Sequence, residues 1–327
     1  MRWAKSVYGS GGRKRAVSRY HLFGNVGAKY QWRTGENDLA AYRSGAVSTR
    51  SPKEDLALLE SHFRFGENWR DFAEAVDEAR ILAAVTDLGR LVAAEELAGA
   101  RLLDVGCGSG LSALAALRLG CAAVQCIDLD PQSLEAASKV LARFAPDAEW
   151  SAEERSVFDL DPQRDGRFDV VHSWGVLHHT GRMWDALDRT AAMVRPEGLL
   201  AVALYAKTPL CGFWRVEKHA YSAAPGWLQK GIRSVFKISY LAAVAATGRN
   251  PAAYVQGYVA KRGMSWSHDV HDWLGGYPYE SAAPSEVNAF LCTRGFTRVR
   301  ENVLPTPAFG IFGSPCNEYV FRREETD

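Results

Sequence analysis

Between residues 100 and 205, short apolar runs alternate with amphipathic stretches of helical period. The apolar runs predict β-strands at 101–106, 123–128, 154–158, 168–174 and 199–205. The amphipathic stretches predict helices at 111–120, 130–144 and 183–194. Strands that alternate with helices are typical of a doubly wound, parallel α/β sheet, in which ligands bind at the carboxyl-terminal ends of the strands.

The sequence on either side of this region has a different pattern. Apolar residues at helical spacing, among them Trp69 and Val76, predict an N-terminal helical segment over 51–99. Residues 206–283 are rich in aromatic and basic residues and are too long for a connection between sheet elements, which predicts an inserted, mostly helical cap. A helix at 284–294 and strands near 296–304 and 316–322 complete the sheet, so the predicted core comprises 100–205 and 284–327.

Charge is balanced over the whole chain but not at its start. The net charge of +1 gives no general attraction to nucleic acid or membranes. Residues 1–50, however, form a basic arm in which every charged residue before Glu36 is a lysine or an arginine. We interpret the arm as a solvated tail, or alternatively as a contact for an anionic substrate, RNA or a lipid headgroup.

The cysteines and the apolar runs bear on the compartment. Six cysteines are present and none forms a CxxC pair, which favours a reduced, cytoplasmic environment. The polar, basic beginning predicts no secretory signal. The longest apolar helical run, 239–247, is too short to cross a bilayer.

A glycine-rich loop follows the first predicted strand and carries the clearest chemical signal. Gly106, Gly108 and Gly110 let the backbone turn tightly and approach a ligand. Read from Gly108, the loop also fits a dinucleotide-binding fingerprint, which leaves a dehydrogenase as an alternative. Asp104 beside the loop disfavours a pyrophosphate and suits a cationic ligand. Asp128, at the end of the second strand, is suited to accept both hydroxyls of a ribose.

These residues resemble a known family. The spacing of Asp104, Gly106, Gly108 and Gly110, the carboxylate Asp128 and the segment "VLHHTG" resemble the class I S-adenosylmethionine-dependent methyltransferases. The segments "SWGVLHHTG", "RGMSWSHDVHDWLGGYPYE" and "CNEYVF" resemble a bacterial group related to the ubiquinone-type small-molecule O-methyltransferases. The resemblance implies a seven-stranded, Rossmann-like sheet whose last strand is antiparallel. It also implies S-adenosylmethionine as the cofactor.

The resemblance further implies a set of cofactor contacts. Asp104 and the three glycines hold the methionine end, Asp128 holds the ribose, and Leu129 packs on the adenine. Ser156 and Val157 align with the adenine contact of the third strand. Trp174 ends the fourth strand where the methyl group is expected. Trp69 is either a core residue or part of a helix that closes over the methionine end of the cofactor.

His178 and His179 are candidates for the catalytic base. A histidine is a suitable proton acceptor near neutral pH, and a placed base contributes about 10²–10⁴-fold in rate. Alternatively, the segment "HHTG" begins a helix that Thr180 or one of the histidines caps. A third hypothesis combines them with His268, Asp269, His271 and Asp272 in a metal site, but the pattern favours no metal.

The segment "HDVHDWLGGYPYE" predicts a wall of the substrate pocket, or alternatively a packed aromatic turn. The candidate substrate contacts are Tyr205, His268, Asp269, Trp273, Tyr277 and Glu280. The favoured function is methyl transfer to an oxygen of a sugar, a quinol or another hydroxylated metabolite. Basic residues of the cap suit a phosphate or a lipid surface, and therefore an anionic or lipid-linked acceptor; they are Arg215, Lys218, Lys230, Arg233 and Lys237. An RNA or protein methyltransferase that uses the basic arm, and a regulator without catalysis, are the alternatives.

Overall fold

The structure is a computed structural model that describes residues 69, 73–262, 266–305 and 310–325. Both the predicted basic arm and most of the N-terminal segment before residue 73 lie outside these residues. The described strands are β1 (Arg101–Val105), β2 (Ala123–Asp128), β3 (Glu149–Glu154), β4 (Phe168–Trp174), β5 (Val194–Tyr205), β6 (Phe296–Asn302) and β7 (Cys316–Arg323).

These seven strands form one sheet in the order β3-β2-β1-β4-β5-β7-β6. Neighbouring strands from β1 to β5 pair in parallel, whereas β7 runs antiparallel to both β5 and β6. The predicted fold class, a doubly wound sheet with an antiparallel last strand, is therefore confirmed. Because β1, β2, β4 and β5 are parallel, their carboxyl ends meet at one edge of the sheet.

Helices flank the sheet and fill the segment between β5 and β6. The described α-helices are α1 (Glu78–Leu91), α2 (Ala94–Leu97), α3 (Leu111–Arg118), α4 (Pro131–Phe144), α5 (Pro162–Asp165), α6 (Met183–Ala192), α7 (Cys211–Ala223), α8 (Gly226–Ala246), α9 (Pro251–Arg262), α10 (Trp266–Gly275) and α11 (Pro284–Cys292). Helix α4 begins as its sequence predicts: the side chain of Asp130 accepts a hydrogen bond from the Gln132 N–H, and Pro131 is the first helical residue.

Two predicted elements are wrong in position. The third strand, expected near 154–158, lies at Glu149–Glu154 and is followed by a 3-10 helix at Val157–Asp159. This strand is at the edge of the sheet and is largely exposed. Because its sequence contains several glutamates, it lacks the continuous apolar run by which a buried strand is recognised. The fifth strand, expected at 199–205, begins earlier, at Val194.

The core is divided by the sheet. On β1, Leu102 packs into one cluster with α1, α3 and α4, whereas the next residue, Leu103, packs into a second cluster with α6 and α11. Successive side chains of a strand point to opposite faces, so both faces of this sheet are covered by helices. This double burial explains the nearly continuous apolar runs of the central strands.

Helices α7 to α10 lie between β5 and α11 and enclose a third cluster, which is mainly aromatic. The two ends of the chain segment that carries these helices are joined beside the sheet. Ala206 and Ala282 form a bridge, and the Ala282 N–H donates to the Tyr205 carbonyl at 2.9 Å. The inserted helices therefore leave and rejoin the sheet at the same place, at the carboxyl end of β5.

Candidate active site

The glycine loop connects β1 to α3 at the carboxyl edge. Gly106, Gly108 and Gly110 have φ of 73°, 53° and 72°, in the left-handed region that favours glycine. A Cβ on Gly106 would lie 2.5 Å from a methyl carbon of Val176, and one on Gly110 would lie 2.9 Å from the Ala137 Cα. The loop thus requires glycine both for its conformation and for its packing.

Asp128 ends β2 directly beside this loop. Its carboxylate accepts hydrogen bonds from the backbone N–H groups of Gly108 and Asp130, both at 3.0 Å. Burial raises the pKa of Asp128 to about 6, although these two hydrogen bonds oppose the shift. The next residue, Leu129, remains 45% exposed. A rigid carboxylate and an exposed apolar side chain therefore lie next to each other at the strand end.

Asp104 lies one strand away and is almost completely buried. Its Oδ1 accepts a hydrogen bond from His172 Nδ1 at 2.8 Å, and the two residues are register partners on β1 and β4. Its other oxygen, Oδ2, is buried and has no hydrogen-bond partner within the described part of the chain. A buried carboxylate oxygen of this kind is costly unless a donor or a cation reaches it.

Two tryptophans adjoin the loop and the strand edge. A Cβ on Gly108 would lie 3.1 Å from Trp69 Cε2, so the Trp69 ring covers the glycine loop. Trp174, at the end of β4, donates its indole N–H to Glu318 at 3.1 Å. Of the predicted pair at the third strand, Ser156 caps the 3-10 helix by accepting from the Phe158 N–H, and Val157 is buried in the core.

His178 is fully buried in a 3-10 turn, Leu177–His179, that follows β4. Its ring centroid is 3.8 Å from that of Tyr205. Neither ring nitrogen has a hydrogen-bond partner among the described residues. Burial, and then the neighbouring His179 and Lys218, hold the pKa of His178 well below its ordinary value. The imidazole is consequently neutral at physiological pH.

His179 is partly exposed, and its orientation is fixed. The distance from its Nδ1 to the Pro278 carbonyl oxygen is 2.8 Å. Because a carbonyl oxygen accepts only, Nδ1 carries the hydrogen, and the neutral ring has its lone pair on Nε2. A Cβ on Gly276 would lie 2.6 Å from His179 Cε1, so glycine at this position makes room for the ring.

The turn that carries Pro278 is itself bonded to the histidine turn. The Glu280 N–H donates to the His178 carbonyl at 2.9 Å, and the Glu280 carboxylate accepts from the Met183 N–H at 2.8 Å. Helix α6 begins at Met183, so the Glu280 carboxylate accepts a hydrogen bond from the first backbone N–H of this helix. The hypothesis that a histidine caps this helix is wrong, because both histidines belong to the preceding 3-10 turn.

The structure brings some of the predicted substrate contacts together and separates others. Tyr205 lies against both histidines, and its ring centroid is 5.2 Å from that of Trp273. Tyr277 is half-buried and its ring lies beside His219. Asp269 accepts a hydrogen bond from the Tyr258 hydroxyl, inside the inserted helices. The side chain of His268 lies outside the described residues. Within the described part of the chain, no group of three or more metal-ligating side chains is present.

Two buried polar residues of this region, His172 and Glu318, are absent from the sequence-based prediction, and a third, Lys218, is buried rather than placed as the predicted contact for a phosphate or a lipid surface. His172 and Glu318 pair with predicted residues of other strands, and only the register of the sheet reveals those pairs. Lys218 is fully buried, and its Nζ donates to the Trp273 carbonyl and lies 3.6 Å from the centroid of the Trp273 ring. Its spacing from Trp214 and Tyr221 places it on the buried face of α7, which is a signal that the sequence contains.

Comparison with known proteins identifies the domain. Residues 103–200 match a family model described as a methyltransferase domain. Residues 103–200 carry a methyltransferase domain. The chain is 38% identical over 109 residues to a ubiquinone biosynthesis O-methyltransferase of Nitrobacter winogradskyi, and this aligned stretch covers 33% of the chain and 39% of the relative. The corresponding protein of Xanthomonas euvesicatoria is 36% identical over 114 residues, or 35% of this chain and 46% of the relative. The chain thus spans less than half the length of these relatives.

Two solved structures have a similar course of the chain. One is a magnesium protoporphyrin IX methyltransferase of Synechocystis with bound S-adenosylmethionine, at 12% identity, 85% coverage of this chain, 100% of that chain and a TM-score of 0.49. The other is a 1,6-didemethyltoxoflavin-N1-methyltransferase of Burkholderia thailandensis, at 20% identity, 92% and 98% coverage and a TM-score of 0.46.

The cofactor of a class I methyltransferase domain is S-adenosylmethionine, and the residues of this domain fit it. The buried Oδ2 of Asp104 suits the cationic methionine end, because a cation there would satisfy an oxygen that otherwise has no described partner. Asp128 retains lone pairs that suit the two ribose hydroxyls, and Leu129 is exposed beside it. The individual contacts remain predictions that binding measurements can test.

The buried histidine of the methyltransferase domain gives a prediction for stability. The ordinary pKa of His178 is 6.5 and the folded-state pKa is far lower, so on acidification the unfolded chain binds a proton that the folded chain does not. This residue should therefore remove up to about 1.4 kcal/mol of unfolding free energy for each pH unit below about 6.5. We expect His178→Phe to lose less unfolding free energy on acidification than the parent protein, as measured by urea unfolding between about pH 5 and 8.

The matched control is His219→Phe, which changes an exposed position of α7. An equally steep acid loss in His178→Phe and in the parent protein would contradict a buried, neutral His178.

Proposed function

We propose that this protein transfers a methyl group from S-adenosylmethionine to a hydroxyl oxygen of a small aromatic acceptor, with His179 as the proton acceptor. The observation that carries the proposal is the hydrogen bond between His179 Nδ1 and the Pro278 carbonyl. It leaves the Nε2 lone pair of a partly exposed histidine at the end of β4, on the sheet edge that also holds the glycine loop.

When bound, the cofactor would supply an electrophilic methyl group on a cationic sulfonium, and the sulfur would leave as a neutral thioether when its bond to the methyl carbon breaks. The residues of the chain orient the two reactants, and positioning of this kind contributes about 7–11 kcal/mol to a barrier. Asp128 accepts the ribose hydroxyls, Asp104 faces the cationic methionine end, and Trp69 covers the loop. The roles of Asp128 and Trp69 are supported by their positions beside Gly108, and the role of Asp104 by its buried Oδ2 on β1, the strand that leads into the loop.

His179 takes the proton that the acceptor hydroxyl loses as its oxygen bonds to the methyl carbon. The Pro278 carbonyl then stabilises the imidazolium through the Nδ1 hydrogen, and the proton leaves from the partly exposed ring to solvent. His178 is a positioning residue, because it is buried between Tyr205 and His179 and its backbone carbonyl holds Glu280.

The acceptor class is inferred from the rings next to the histidines. Tyr205, Trp273 and Tyr279 form a buried aromatic group there, with the ring centroids of Trp273 and Tyr279 at 5.2 and 5.4 Å from that of Tyr205. Such surroundings favour a phenol- or quinol-type ring over a sugar. The curated relatives are O-methyltransferases of ubiquinone biosynthesis, which supports an oxygen on a ring as the accepting atom.

The test uses the full chain with methyl-labelled S-adenosylmethionine and a panel of phenols, catechols, quinols and sugars, with RNA and protein as further acceptors. We expect label in hydroxyl groups of the aromatic compounds. Label confined to RNA or protein, or transfer to sugars alone, would overturn the proposal.

A variant at Gly276 tests the orientation of the proposed base without removing it. Gly276→Ala places a methyl group 2.6 Å from His179 Cε1, so the ring must move away from its bonded position. Since misplacement by about 1 Å costs about 10²-fold in rate, we expect a fall in turnover of that order with an unchanged dissociation constant for the cofactor. The matched control is Gly257→Ala, because a Cβ on Gly257 would meet no atom within 4 Å.

A further inference from the structure

We propose that the outward face of helix α8 docks on an anionic phospholipid bilayer. The inference begins with charge. From His219 to His268 the sequence contains six lysines and arginines and no aspartate or glutamate. A segment of this kind lies within a chain whose net charge is only +1, so the excess of positive charge is local.

Helix α8 is apolar on two opposite sides. Ile232, Phe236, Tyr240 and Val244 recur every four residues and pack into the aromatic cluster of the inserted helices. The opposite side carries Trp227, Val235 and Ile238, which are 74%, 66% and 70% exposed. The residues between them on this side are also small or uncharged: Gly231, Ser234 and Ala242 are exposed. The second apolar side is therefore not required for the core of the fold.

Basic residues border this exposed side. Lys230, Arg233 and Lys237 follow one another at spacings of three and four, which places them in one row along the helix. Lys230 is exposed, whereas Arg233 and Lys237 are half-buried and Lys237 donates to the Ser267 hydroxyl. An apolar row with an exposed tryptophan beside a row of cations is the pattern of a helix that lies in a lipid headgroup region. Charge complementarity therefore selects an anionic bilayer as the occupant of this surface.

Helix α7 adds to the same chemistry. Phe213 and Val216 are 61% and 69% exposed, and Arg215 between them is exposed as well. The two helices are in contact, since the ring centroids of Trp214 and Phe236 are 6.3 Å apart. No described helix is both long and apolar enough to cross a membrane, so the proposed interaction is with the surface.

The experiment is co-sedimentation of the full chain with vesicles of phosphatidylcholine, alone or mixed with phosphatidylglycerol. We expect partition onto the mixed vesicles that weakens with salt. The double variant Val235→Gln with Ile238→Gln should lower the partition coefficient about tenfold or more, because both side chains lose their apolar contact with lipid. Lys230→Gln with Arg233→Gln should lower it about fivefold for each cation removed.

Leu82→Gln is the matched control, because Leu82 on α1 is 66% exposed, as Val235 is, but has no row of cations beside it. Unchanged partition of this control together with the expected losses would support the proposal. Equal binding to vesicles with and without phosphatidylglycerol would overturn it, as would binding to RNA but not to vesicles. A change in oligomeric state or a loss of thermal stability in Val235→Gln with Ile238→Gln, without vesicles present, would also overturn it by showing that protein covers this face. None of these outcomes depends on methyl transfer.

Discussion

Replacing His179 with alanine is expected to lower turnover about 10²–10⁴-fold and to leave the affinity for S-adenosylmethionine near that of the parent protein. The roles belong to different residues: the glycine loop and Asp128 form the proposed cofactor site, whereas His179 lies in the turn after β4 and is hydrogen-bonded to the Pro278 carbonyl. Single-turnover rates with an aromatic acceptor, and calorimetric titration of the cofactor, measure the two effects independently.

The pH profile and a comparison variant make this prediction sharper. Turnover of the parent should fall on acidification, because a protonated imidazole cannot accept the proton of the hydroxyl group, and the residual rate of His179→Ala should lack this fall. His178→Phe keeps a ring of similar size in the buried position and should cost much less. A larger loss in His178→Phe than in His179→Ala would exchange the two assignments, and full activity in both would leave positioning as the mechanism.

Replacing Asp128 with alanine is expected to weaken cofactor binding by about two orders of magnitude, since hydrogen bonds to a charged acceptor contribute about 1.5–3 kcal/mol each. The loss has two sources in the structure. The ribose hydroxyls lose their proposed acceptor, and the Gly108 N–H loses the carboxylate that now fixes the loop. Titration of the cofactor at about pH 8, where the carboxylate form of Asp128 in the parent exceeds the protonated form by about a hundredfold, measures the change directly.

The raised pKa of Asp128 adds a pH dependence with a definite sign. Because its pKa is about 6, acidification below that value protonates the carboxylate and should weaken cofactor binding. Asp128→Asn should bind weakly at all pH values without this fall. Asp130→Ser is the matched control, because it changes the neighbouring carboxylate but retains a side chain that caps α4. Cofactor affinity in Asp128→Ala equal to that of the parent would remove Asp128 from the site.

The central sheet could be predicted because its strands are buried on both faces and are bounded by polar residues. The limits of β2 and β4, 123–128 and 168–174, agree with the structure, since each apolar run begins and ends sharply. Edge strand β3 could not be located in this way. Its exposed glutamates make no apolar run, and its position is set by pairing with β2.

The candidate site could be predicted in type but not in geometry. Glycine spacing and strand-end carboxylates are local features, so Asp104, Gly108 and Asp128 are recognisable from the sequence. The difference between His178 and His179 is not local. It depends on the Pro278 carbonyl, 99 residues further along the chain, and on burial beside Tyr205. Contacts of such sequence separation follow from tertiary structure rather than from a motif.

The bond between His179 and Pro278 joins two parts of the chain that are otherwise distinguishable. His179 follows a strand of the sheet, whereas Pro278 lies at the end of the inserted helices. In the proposed mechanism, acceptor choice and proton acceptance therefore depend on the same part of the chain. A chimera that exchanged the whole insertion for one from another methyltransferase would retain the glycine loop and Asp128 but lose the carbonyl that sets the imidazole tautomer. Redesign of the acceptor range would have to retain the turn from Gly276 to Glu280 and vary the helices that precede it.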